Sequence, residues 1–334
     1  METDMVEGGH NAARYSQTLG LAGRACSFCT DSSRLMELAS VFFSPCLAEK
    51  ALRPRAAIML LVCGRRSASS ITSNYPIFRG RSEFVHADYG RDGSVWFDLK
   101  AREVVGVLSD EIIADEGFFR RAVLAVIAGV LAPSLGVIAL HAGCVVRDGR
   151  AILLAAPSGA GKSTISLALA LRGWSLLSDD WTFVADAANG LSVWGMQTSI
   201  KLLPDARVYF PELSALSPGL SLNGELSFEI DPWSFFGVGR SIDAAPTSIV
   251  FLKRGSAESV AHGCYLSHSC EEETMKALLE EIEEQPEAIN EEACDRASMM
   301  QRLCRLPSFE VRFSGEPAVI AADLDEIFTE LICA

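Results

Sequence analysis

AILLAAPSGAGKSTISLALALRGWSLLSDDWTFV, residues Ala151–Val184, decides how the chain is read. Apolar residues run through Ala155, followed by a small-residue loop. Apolar residues at helical spacing then continue to Gly173, which is placed as a glycine just past a helix end. Ala156–Ser163 matches the GxxxxGK[ST] pattern except at its first position, where alanine stands for glycine. A strand before the loop and a helix opening on it are the context that the pattern needs. Gly159 and Gly161 let consecutive backbone N–H groups turn inward as an anion nest, which a Cβ would obstruct, and the helix N-terminus adds its dipole. Ser158, Gly159, Ala160, Gly161, Lys162, Ser163 and Thr164 are therefore the candidate phosphate-binding residues. Lys162 is placed to reach the β/γ-phosphates and Ser163 to ligate Mg²⁺, so the chain is expected to bind ATP with Mg²⁺.

One helix later the next strand ends at Asp179-Asp180. Most P-loop proteins place their metal-binding aspartate on a strand far downstream. Two carboxylates this close to the loop would face the γ-phosphate, and their mutual repulsion would raise one pKa, which suits a general base. The alternative is a surface turn capping the strand. His141, on the apolar run before the loop, reads on residue type as a core histidine.

Working outward, residues 1–33 are small and polar with no apolar period, and are expected to be poorly ordered. Residues 34–118 alternate short apolar runs with turn signals, including a hairpin turning at Arg91-Asp92-Gly93, and predict a small β-rich domain. The stretch 110–132 reads as a long helix leading into a larger domain, 119–334. That domain's first strand is read as one run, 136–146. Further strands are expected at 191–196, 226–230, 247–254, 260–267 and 309–313, with glutamate-rich helices over 271–304 and a final helix from Pro317.

The chain has 334 residues and a formal charge of −14, which argues against a nucleic-acid scaffold because phosphate backbones need basic surface. The uncharged run 122–146 is split by Pro133-Ser134 and carries His141, so it reads as a buried helix and a buried strand rather than a membrane span. Acidic residues at the N-terminus argue against a secretory signal. Cys26 and Cys29 form a CxxC with no second pair to complete a zinc site. Reduced thiols in a cytoplasmic protein are the expectation.

His141-Ala142-Gly143, SGAGKST, ALRGW and LLSDDWTFV together resemble the catalytic domain of the HPr kinase/phosphorylase family and its single-function serine-kinase relatives, over about 136–185. The resemblance implies an α/β fold: a P-loop kinase domain of the HPr kinase type with a smaller β-rich N-terminal domain. It also implies that Lys162 and Ser163 hold phosphates and Mg²⁺ and that Asp179 takes the proton from an acceptor serine. Asp180 would assist through metal or hydrogen bonding, and His141 would contact phosphate or brace the aspartates. The glycine-rich segment of the bifunctional enzymes is absent after Val184; MQTSIKLLPDA stands there, with Lys201 as a further candidate contact. The N-terminal region looks instead like that of HPr-kinase-like proteins encoded with ribosomally made peptides, including lasso-peptide tailoring kinases. Those relatives imply a peptide or protein partner with an acceptor serine, in the lasso case the precursor's C-terminal serine. The bifunctional branch forms hexamers, so a homo-oligomer is compatible with the resemblance. A kinase of a small hydroxylated metabolite would share every motif, and Walker A alone does not separate transfer to a hydroxyl from transfer to water, as in a switch ATPase.

Overall fold

The computed structural model describes residues 14–43, 53–64, 76–157, 159–196, 199–255, 263–280 and 293–333. It is a mixed α/β protein with several sheets. A hairpin of β1 (Tyr15–Leu21) and β2 (Arg24–Thr30) leads to α1 (Ser33–Phe42), which is capped by the Ser32 hydroxyl accepting from the Leu35 N–H. Next come β3 (Ala56–Cys63), β4 (Ile77–Arg81), β5 (Phe84–Asp88), β6 (Gly93–Asp98) and β7 (Glu103–Ser109). Their order in one seven-stranded sheet is β1-β2-β3-β7-β6-β5-β4.

One expectation fails here. Residues 14–33 are not loose: from Tyr15 they form strands of this sheet. The period was invisible because β2 buries small residues, Ala25 and Cys26, beside Phe28, and β1 buries only Leu19 and Leu21. Residues 1–13 lie outside the described part. Alternation along β2 buries Cys26 and turns Cys29 to the opposite, half-exposed face.

A helical run follows: α2 (Asp110–Ala114), α3 (Glu116–Phe118), a π-turn over Phe119–Leu124, α4 (Ala125–Leu131) and a 3₁₀ turn ending at Gly136. By length and composition Glu116–Leu135 could cross a membrane, but 67% of its most apolar window is buried inside the protein. Phe119, Ala122, Val123, Ile127 and Leu131 pack against the first sheet in one continuous core that also takes in Val137, Phe183 and Met196.

The second sheet places the loop. Its strands are β8 (Val137–His141), β9 (Gly143–Arg147), β10 (Arg150–Ala155), β11 (Ser175–Ser178), β12 (Trp181–Ala187) and β13 (Gly190–Gly195), with α5 (Lys162–Leu171) between β10 and β11. A small sheet then holds β14 (Ile200–Leu202), β15 (Gly219–Leu220) and β16 (Leu226–Ile230). The chain returns through α6 (Pro232–Phe235) and β17 (Gly239–Arg240) to the twelve-residue β18 (Asp243–Arg254). It closes with β19 (Gly263–His268), α7 (Glu271–Glu280), α8 (Ala293–Cys304), β20 (Ser308–Ser314) and α9 (Pro317–Cys333).

β9 runs antiparallel to both β10 and β11, so those two are parallel; β18 is parallel to β10, and β20 to β18. The carboxyl ends of β11, β10, β18 and β20 therefore open on one side, where open α/β sheets bind ligands. Helices α5 and α9 cover one face of this sheet, and residues of α7 and α8 cover the other.

The expected single strand at 136–146 is two strands. β8 pairs with β12, β9 pairs with β10 and β11, and the chain steps between them at Ala142. Asp179-Asp180 is the matching step between β11 and β12. The steps are bolted together by Thr182, whose hydroxyl donates to the Ala142 carbonyl at 2.7 Å and also pairs with Ser178.

Candidate active site

The loop leaves β10 at Ala155 and turns through Gly159 (φ 78°) and Gly161 (φ 101°) into α5. A Cβ on Gly159 would meet nothing, and one on Gly161 only the Phe313 ring at 3.9 Å. The left-handed backbone at both positions calls for glycine. The Ala160 N–H donates to the Pro157 carbonyl at 3.1 Å. Ser158 lies outside the described residues. Gly159, Gly161, Lys162, Ser163 and Thr164 line a cleft of about 470 Å³. Lys162, on the first turn of α5, is 8% exposed.

The step between β11 and β12 brings both aspartates to this loop with different partners. Asp179 is buried; its Oδ2 accepts from the Ser163 hydroxyl at 2.9 Å and from the Lys201 backbone N–H at 3.5 Å. Its Oδ1 is buried without a partner. Burial first, and the Asp180 charge second, push the Asp179 carboxyl up to about 7. Asp180 faces the cleft: its Oδ1 is 2.7 Å from His141 Nε2 and 3.5 Å from Lys162 Nζ. Burial alone would raise Asp180, but the hydrogen bond to His141 and the nearby Lys162 ammonium outweigh it and hold the carboxyl below the usual range. His141 ends β8 opposite Trp181, so it is a partner of the acid pair and not a core side chain.

Gly143 makes this approach possible. A Cβ there would sit 3.0 Å from the Asp179 carbonyl oxygen and 3.1 Å from Ser166 Oγ.

The cleft continues to the small sheet. Lys201, on β14, is held by Glu225 at 2.6 Å and Asn223 at 3.0 Å, and Arg121 reaches in from the helical run to Glu229 at 2.8 Å. Arg121 and Arg254 also line the cleft, and sequence reasoning missed both. No local motif surrounds them, and they reach the site only through strand order and helix packing.

A phosphate chain fits the left-handed glycines, the helix N-terminus and Lys162. A hard divalent cation fits the Ser163 hydroxyl beside the buried, half-unpaired carboxylate of Asp179. The structure thus joins Ser163 to Asp179; the partners of Asp180 are His141 and Lys162. Among the described residues no group of three or more His, Cys, Asp and Glu side chains is placed to hold a metal ion.

No protein-family model matches the chain, and no curated protein matches it in sequence. Among solved structures it is similar to the HPr(Ser) kinase/phosphatase from Coxiella burnetii. The two are 15% identical over 58% of this chain and 98% of that one, with a TM-score of 0.32.

Proposed function

We propose that the protein is a P-loop phosphotransferase that moves the γ-phosphate of ATP to a serine hydroxyl of a peptide or protein. The observation that carries this reading is the division of labour at the loop: one aspartate bonded to the P-loop serine, the other exposed beside His141 and Lys162. Mg²⁺, held by Ser163 and Asp179, would supply charge neutralisation between the phosphates. The loop N–H groups and Lys162 bind and orient the triphosphate. Asp180, kept ionised by its two partners, takes the proton of the acceptor hydroxyl, and His141 fixes the carboxylate in position. The serine oxygen bonds to the γ-phosphorus as the bond to the bridging oxygen breaks, and ADP leaves. This exchanges the roles that the resemblance implied for the two aspartates, since a base needs access to the acceptor and Asp179 has little.

The acceptor we propose to test first is the C-terminal serine of a lasso-peptide precursor, on the strength of the sequence resemblance. Purified protein is incubated with Mg²⁺–ATP and peptides encoded beside its gene, with Lys162→Ala as control, and intact masses are read. One phosphate gained on a peptide serine by wild type and not by the variant is the expected result. ATP consumed with no peptide modified would sink the peptide-kinase reading in favour of a metabolite kinase or a switch ATPase.

A further inference from the structure

We propose that Arg254 is a phosphate-binding residue of this site, closing on the polyphosphate from the side opposite the aspartates. The proposal rests on the reading of the loop as a nucleotide site. Among the described residues four cationic side chains line the cleft: Arg121, Lys162, Lys201 and Arg254. Arg121 and Lys201 are neutralised by Glu229 and Glu225, and Lys162 lies 3.5 Å from Asp180. The Arg254 side chain makes no ion pair or hydrogen bond with any described residue.

Its position follows from strand geometry. Side chains alternate along β18. Val250 and Leu252 face the core shared with Ile165 and Leu169 of the loop's own helix, and Arg254 continues that face at the strand's last residue. Lys253 points the other way, where Glu310 holds it at 2.5 Å together with Arg312. β18 is the parallel neighbour of β10, so its carboxyl end stands beside the loop. Asp179-Asp180 stand on the loop's other flank, beyond β9.

Charge explains why a free guanidinium there matters. The chain carries a formal −14, and five carboxylates (Asp179, Asp180, Asp205, Glu225, Glu229) line the same cleft. A triphosphate entering it meets repulsion that the loop N–H groups and a single shared lysine must offset. An uncommitted arginine adds paired donors in the fork geometry that suits phosphate oxygens.

The test is equilibrium binding, by calorimetry with Mg²⁺ present, of ATP, ADP and inorganic tripolyphosphate to wild type, Arg254→Ala and Arg254→Lys. Arg254 is exposed and its side chain pairs with no described residue, so both variants should keep the wild-type melting temperature. Arg254→Ala is expected to weaken all three ligands by a similar factor, roughly 10–100-fold for a charge-assisted hydrogen-bonding pair. Arg254→Lys should recover part of the loss. Unchanged binding in Arg254→Ala overturns the proposal. So does a loss confined to ATP and ADP, which would place the guanidinium on the base or ribose. Wild type that binds none of the three overturns the nucleotide reading itself, and this proposal with it.

Discussion

Asp179 is where the site works against the fold. Its carboxyl has one oxygen without a partner, and its pKa is raised from 3.8 to about 7, so at neutral pH and above the metal-free protein holds an ill-compensated buried charge. The sign follows from linkage. A group whose folded pKa lies above its unfolded value contributes stability that is fully present below the unfolded pKa, here near 4, and is lost as pH rises through the folded value. Three units at 1.36 kcal/mol each give a loss of about 4 kcal/mol by pH 8, of which roughly 2–3 kcal/mol falls between pH 5 and pH 8. Asp179→Asn removes the charge while keeping an acceptor for the Ser163 hydroxyl; its amide N–H groups cost about 1 kcal/mol where no acceptor faces them. In EDTA, the variant should be more stable than wild type at pH 8 by about 2–3 kcal/mol, roughly 3–4 °C in melting temperature, with the gap nearly closed at pH 5. Urea titrations of both proteins at the two pH values measure it. A gap that is the same at both, or a variant less stable at pH 8, would refute the claim that Asp179 is a strained buried acid.

Two further outcomes test the scaffold. Gly143→Ala puts a Cβ 3.0 Å from the Asp179 carbonyl oxygen, so the aspartate turn must move by a few tenths of an ångström. Turnover should fall about ten-fold with nucleotide affinity little changed, since misplacing a reacting group costs rate; wild-type turnover would show that the turn tolerates the shift. At the end of α5 away from the loop, Asp325 of α9 accepts from Trp174 Nε1 and Arg147, both at 2.8 Å, with Arg172 at 3.3 Å. Asp325→Ala strands the buried indole N–H and should cost roughly 2–4 kcal/mol by chemical denaturation, with ATP affinity intact. A loss under about 0.5 kcal/mol would mean that the cluster is ornamental.

What the sequence determined by itself is local. The anion nest is made by consecutive residues, so Gly159, Gly161, Lys162 and Ser163 carry strand, turn and helix within one stretch. The hairpin around residues 91–93 and the strand at Leu226–Ile230 were legible for the same reason: turn chemistry and alternation are properties of neighbours. Helix α1 was missed because its ten residues sit among turn-rich flanks, and its buried side chains are fixed by the sheet it covers.

Only the tertiary structure decided which partner each aspartate takes. His141 and Asp180 are 39 residues apart, and they meet because β8 pairs with β12 while β9 pairs with β11. That pairing splits one apolar run at Ala142 and brings His141 against Asp180. Arg254 reaches the loop only because β18, some hundred residues downstream, inserts beside β10. Strand order of this kind is set by how apolar faces from distant segments bury one another, and no window of neighbouring residues contains that information.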